Sequence, residues 1–167
     1  MPPFNPLGSF LIGLAVFLIW IGPDMLIGGY RHTWFFENGL IGLASPSVMP
    51  AFRDNIPLLA VRVAGSALLV PVIEELFWRG WMMRWLVNNN FERVPLGTYV
   101  PAAFWITAIL FASEHGSYWD VGLAAGVVYN WWMVRTRSLA DCIIAHGVTN
   151  SLLAIYVIAK GAWQYWP

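Results

Sequence analysis

The chain has 167 residues, 59% of them apolar and only 11% charged; soluble domains carry about a quarter charged residues, so an ordinary soluble domain is excluded. Net charge is zero and no Lys/Arg run is present, which leaves nothing to recruit nucleic acid. The single Cys142 excludes a disulfide framework and a Cys-rich metal centre, and eleven Trp suit the membrane–water boundary.

Met1 to Trp20 carries no charge, so it lacks the positive start of a cleaved signal peptide. Ser9 to Gly22 reads as a retained helix, short for a full span; the abrupt start also fits a chain with helices upstream. Pro23 to Asn55 is irregular, with Gly28, Gly29, Pro46 and Pro50 among scattered charges and a short apolar piece from Gly39 to Ala44. It reads as an external or interfacial loop with one surface-lying helix. Ile56 to Val87 reads as one long helix kinked at Pro71. Asn88 to Gly97 is a polar turn. Three further spans follow, Tyr99 to Ser113, Asp120 to Val134 and Ser138 to Ala159. Ser138 and Asp141 form an S-x-x-D capping box, and Asp120 is a candidate N-cap. Gly122 and Gly126 form a G-x-x-x-G step that either packs a neighbouring helix closely or is merely two small residues. The expectation is an all-α, polytopic transmembrane bundle of about five spans. Residues 1–55 form the N-terminal helix and loop, 56–160 a four-helix core, and 161–167 an aromatic tail. Arg84, Arg93, Arg135 and Arg137 fall on one side, which the positive-inside rule assigns to the cytoplasm.

Ionisable residues within spans are costly and therefore candidates for function. Glu75 and Arg79 are i,i+4 neighbours and can pair. Glu74 points about 100° away. Either all three form a structural triad, or Glu75–Arg79 is a neutral pair that leaves Glu74 as a base. His115 closes its span, and His146 and Asn150 share one face of the last. At about 1.5 Å per residue, Glu74 and His115 lie roughly 20 and 24 Å from the same membrane side, and His146 and Asn150 roughly 12 and 18 Å. The four can therefore meet. Glu with His can deprotonate water, and a second His with an Asn can supply donors to an oxyanion. No Ser-His-Asp triad suggests itself, and Cys142 reads as small-residue packing.

Glu74-Glu75-x-x-x-Arg79, Phe111-x-x-x-His115 and His146-x-x-x-Asn150 resemble the three ordered motifs of the CAAX protease and bacteriocin-processing family, also called the type II CAAX prenyl endopeptidase or Abi family. The context at residues 77–85 and 113–116 is most similar to a bacterial branch, CAAX prenyl protease-related, whose members accompany exosortase systems. The resemblance covers about residues 56–160. It implies an intramembrane glutamate-dependent endopeptidase of the bacterial inner membrane, multi-pass, acting on a peptide or membrane-protein substrate among lipids. Exosortase-system proteins would be its partners. Glu74 would activate water with His115, His146 and Asn150 would hold the oxyanion, and Glu75 and Arg79 would support the first motif. No cofactor is expected; the metal-dependent alternative places zinc on Glu74, His115 and His146. A catalytically silent accessory or immunity protein and a proton-relay transporter also remain open.

Overall fold

The computed structural model describes residues 4–39, 41 and 48–166. Five helices dominate: α1 (Pro6–Leu26), α2 (Ile56–Trp85), α3 (Pro101–Ser113), α4 (Trp119–Thr136) and α5 (Leu139–Lys160). Helices α1, α2 and α5 are long and apolar enough to cross a membrane. Helix α3 has only 13 residues, and α4 carries Asp120, Asn130 and Arg135 within its 18. The bundle is therefore the helical membrane architecture expected, with two members shorter or more polar than the others.

The first helix is longer than the sequence suggests. Asn5 caps it by accepting from the Gly8 N–H at 2.9 Å, Pro6 begins it, and it continues through Pro23 to Leu26. The irregular segment thus starts at Ile27, not at Pro23. Its described residues are mostly turns and bends, and a short 3₁₀ helix lies at Pro50–Phe52. Most of the expected apolar piece from Gly39 to Ala44 lies outside the described residues. At its N-terminal end α1 is tied to α5: Asp141 Oδ1 lies 3.0 Å from the Asn5 N–H and 2.9 Å from the Ser9 hydroxyl. Gly13 rests on α5 so closely that a Cβ there would sit 2.7 Å from Val148 Cβ.

Helix α2 runs without a break but changes winding. Gly65–Leu69 and Leu76–Met82 are π-helical turns, flanking the α-helical Val70–Glu75. Pro71 has no N–H for the carbonyl of Ala67, and the π turn before it absorbs that defect. The Ala67 carbonyl lies against α5, where a Cβ on Gly147 would approach it to 3.0 Å.

Two start signals resolve differently from expectation. Tyr118, not Asp120, occupies the N-cap position of α4, and Asp120 sits in the first turn with its carboxylate taken by Tyr30 and Arg31. Ser138 does cap α5 by accepting from the Asp141 N–H at 3.2 Å. The other half of that box does not form, because Asp141 turns to α1 instead. The G-x-x-x-G step packs: a Cβ on Gly126 would lie 3.2 Å from Ala108 Cα on α3. Residues Ala162, Tyr165 and Trp166 fold back into a core cluster with Tyr118, Leu153 and Val157. Outer faces present Leu68, Leu69, Ile73, Ile109 and Ile155, a surface suited to lipid.

Candidate active site

The second π turn of α2 begins directly after Glu75. Arg79, fully buried, is satisfied by three partners on two helices, α2 and α4. Its Nη1 donates to Glu75 Oε1 at 2.9 Å, its Nε to Asn130 Oδ1 at 2.9 Å and its Nη2 to the Gly126 carbonyl at 3.3 Å. The guanidinium also lies over the rings of Phe111 and Tyr129, 4.7 and 5.4 Å from their centroids. A buried cation of this kind is tolerated only when paired and hydrogen-bonded. Asn130 donates in turn to the Phe104 carbonyl at 2.8 Å, which fixes α4 to α3.

Glu75 Oε1 takes a second partner, His146 Nδ1 of α5, at 2.9 Å. The expected Glu75–Arg79 pair is present, and it reaches across the bundle to a histidine as well. With Nδ1–H donated to Glu75, the imidazole orientation is fixed and Nε2 faces Glu74, whose Oε2 is 4.0 Å away. Glu74 itself is partly exposed, and its Oε2 has no hydrogen-bond partner. The two adjacent glutamates therefore differ: one is locked into a buried network, the other faces open space.

That space is a cavity of about 270 Å³ lined by Glu74, His115, His146 and Asn150, with Trp20, Ser66, Phe111 and Tyr129 also contributing. His115 Nδ1 lies 2.7 Å from the Phe111 carbonyl, so it carries the proton and leaves Nε2 as the acceptor. Gly122 permits this placement, since a Cβ there would meet the His115 ring at 3.1 Å. Asn150 Nδ2 donates to the Ser66 carbonyl at 2.8 Å, within the first π turn, which leaves its second amide N–H. All four candidate residues thus meet, from α2, the α3–α4 connection and α5.

Three contributors were not singled out from sequence. Asn130 is a polar residue in mid-span, a signal available under the same rule that selected Glu74. Tyr129 stacks on His146 with ring centroids 5.0 Å apart and hydrogen-bonds Thr149 at 2.7 Å; an aromatic in an apolar helix gives no such warning. Trp20 of α1 packs against His115 at 5.2 Å. Cys142 is buried against the Tyr129 carbonyl and does not line the cavity. Among the described residues, no three His, Cys, Asp or Glu side chains are grouped to hold a metal, so the zinc alternative does not fit this arrangement.

Comparison with protein families matches the type II CAAX prenyl endopeptidase Rce1-like family over residues 56–152, more than half of the chain. The chain belongs to this family. No curated protein and no solved structure matches it. The matched region runs from the start of α2 to the middle of α5 and so contains every residue of the Glu74, Glu75, Arg79, His115, His146 and Asn150 constellation. Rce1-like membership makes the protein a membrane endopeptidase in general terms.

Proposed function

We propose that the protein is a glutamate-dependent intramembrane endopeptidase in which Glu74 is the general base. The observation that carries this reading is the split between the paired glutamates: Glu75 is bound by Arg79 and His146, whereas Glu74 borders the cavity without a hydrogen bond. Glu74 takes a proton from water, assisted by the free Nε2 of His115, and the resulting hydroxide forms a bond to the scissile carbonyl carbon. The oxyanion accepts from the remaining Asn150 N–H and from His146 Nε2–H, the doubly protonated form being required because Nδ1–H is spent on Glu75. Glu74 then delivers its proton to the amine nitrogen as the C–N bond breaks. Donors held in place by the surrounding network act strongly on the developing charge.

The substrate class is a peptide or membrane protein presented at the bilayer. Membership in the exosortase-associated bacterial branch would make the site that of an inner-membrane enzyme acting on a non-prenylated chain. Comparing the membrane proteome of cells carrying wild type and Glu74→Gln tests both points. Fragments present only with wild type are expected, with activity lost by 10²–10⁴-fold or more and the unfolding temperature unchanged. Equal cleavage by the two proteins would remove Glu74 from its role. Activity lost on chelation and restored by zinc would replace this mechanism with the metal-dependent one.

A further inference from the structure

On the opposite flank of the α3–α4 pair, an apolar groove of about 560 Å³ is lined by Tyr99, Phe104, Trp105, Val127, Val128, Trp131 and Val134. Its volume falls in the range of sites that hold small ligands. At one end it shares Trp131 and Val134 with a second depression that adds Arg135 and Arg137. One surface thus carries a long apolar trough and, at its mouth, two cations. Neither guanidinium has a carboxylate or hydrogen-bond partner among the described residues; the acidic side chain nearest in sequence, Asp141, is buried and bound to Asn5 and Ser9.

The mouth is also shaped. Arg137 ends α4 in the left-handed conformation, φ 53°, a position that usually falls to Gly or Asn. Its side chain passes Gly97, where a Cβ would stand 2.8 Å from Arg137 Cγ. An arginine is thus held where a glycine would fit with less strain, and its stem is confined by the neighbouring turn. Paired guanidiniums match a phosphate diester, and Trp131 is suited to headgroup depth.

We propose that this face is a binding site for an anionic glycerophospholipid, with its phosphate on Arg135 and Arg137 and an acyl chain in the groove between α3 and α4. A zwitterionic lipid offers the same chain and phosphate diester but adds a cation that opposes the two arginines, and free phosphate offers the charge without the chain. The site holds both halves, so it selects the molecule that carries both. It lies on helices that also carry Phe111 and Asn130, yet none of its own residues lines the catalytic cavity.

The test is native mass spectrometry of the purified full chain, titrated with phosphatidylglycerol, phosphatidylcholine or inorganic phosphate. Wild type should retain phosphatidylglycerol in preference to phosphatidylcholine, and inorganic phosphate should not displace it. The double variant R135Q/R137Q should bind phosphatidylglycerol roughly thirtyfold more weakly, from two headgroup contacts, and should lose much less of its weaker phosphatidylcholine binding. Arg137→Gly suits the left-handed backbone, so it should fold at least as well as wild type and still lose several-fold in affinity. Val128→Trp, which fills the groove, should lower binding of both lipids. Equal retention of the two lipids by wild type, displacement by inorganic phosphate, or an equal loss in the control Arg93→Gln would overturn the proposal.

Discussion

Two buried arginine clusters hold this bundle together, and they are built on different principles. Around the cavity, Arg79 is completely enclosed by Glu75, Asn130, the Gly126 carbonyl and two aromatic rings. At the other cluster, Arg31 joins Asp24 at 3.1 Å, Asp120 at 2.9 Å and the Ser117 carbonyl at 2.6 Å, over the Tyr118 ring at 4.0 Å. The first links helix to helix within the apolar region. The second stitches the end of α1 and the following loop to the α3–α4 connection. Burial disfavours the Arg31 cation, but Asp120 and Asp24 more than offset it and hold its pKa above the ordinary arginine value. The Arg79 cluster borders a carboxylate without a hydrogen bond, Glu74; the Arg31 cluster restrains loops. Only the former should matter to chemistry as well as to folding.

The largest expected difference comes from removing one charge of the enclosed cluster. Arg79→Ala leaves Glu75 buried without its cation, which typically costs about 3–5 kcal/mol. Little folded protein should be recovered in detergent, whereas Glu75→Gln/Arg79→Met, which removes both charges, should recover much of the loss. If Arg79→Ala unfolds at the wild-type temperature, Glu75 is not held by that pair. Next comes Asn130→Ala, which strips Arg79 Nε and the Phe104 carbonyl of their shared partner. A cost of about 1–3 kcal/mol follows from leaving buried groups unsatisfied, read as a lower unfolding temperature together with reduced cleavage.

The same contrast explains what could be read from the chain. The cavity cluster sits largely within single helices, so the i,i+4 spacing of Glu75 with Arg79 and of His146 with Asn150 exposed it directly. The Glu75–His146 bond did not show, because it joins residues 71 apart in sequence on helices whose mutual rotation no local pattern fixes. The π turns of α2 were also invisible, since the extra residue has no signature of its own; Pro71 marked the place without revealing the remedy. The Arg31 cluster draws on residues 24, 31, 117 and 120, each unremarkable in its own segment. Asp120 is a cap candidate because Asp commonly fills that role, and a distant arginine takes its carboxylate instead. Pro23 opens the irregular region in the sequence, yet α1 passes through it and continues to Leu26.

For the Arg31 cluster the effects should be smaller and confined to stability. Asp120→Asn keeps the shape and weakens one charge-assisted bond while Asp24 and the Ser117 carbonyl remain, so a loss of about 1.5 kcal/mol is expected. The rate of cleavage by protein that remains folded should match wild type. A clear fall in that rate at full folding would show that the two clusters are not separate in function.

The smallest effect isolates one hydroxyl. Tyr30 donates to Asp120 Oδ2 at 3.1 Å, so Tyr30→Phe should cost about 0.5–1.5 kcal/mol near neutral pH. The pH dependence carries more information than the size. Burial first, and then the hydrogen bond and charge of Asp120, raise the Tyr30 pKa above its usual value near 10. A group whose pKa is raised on folding contributes stability that is complete below its unfolded pKa and lost as pH climbs through the folded value. The difference between wild type and Tyr30→Phe should therefore stay flat up to about pH 9 and shrink above pH 10, where unfolded Tyr30 ionises first. Other buried tyrosines, Tyr118 among them, are raised in the same direction by burial, but they are common to both proteins and cancel in the difference. Thermal unfolding of the pair between pH 7 and 11 measures it. A difference that stays constant to pH 11 would mean that Tyr30 is not held against Asp120, and that Arg31 alone fixes the loop.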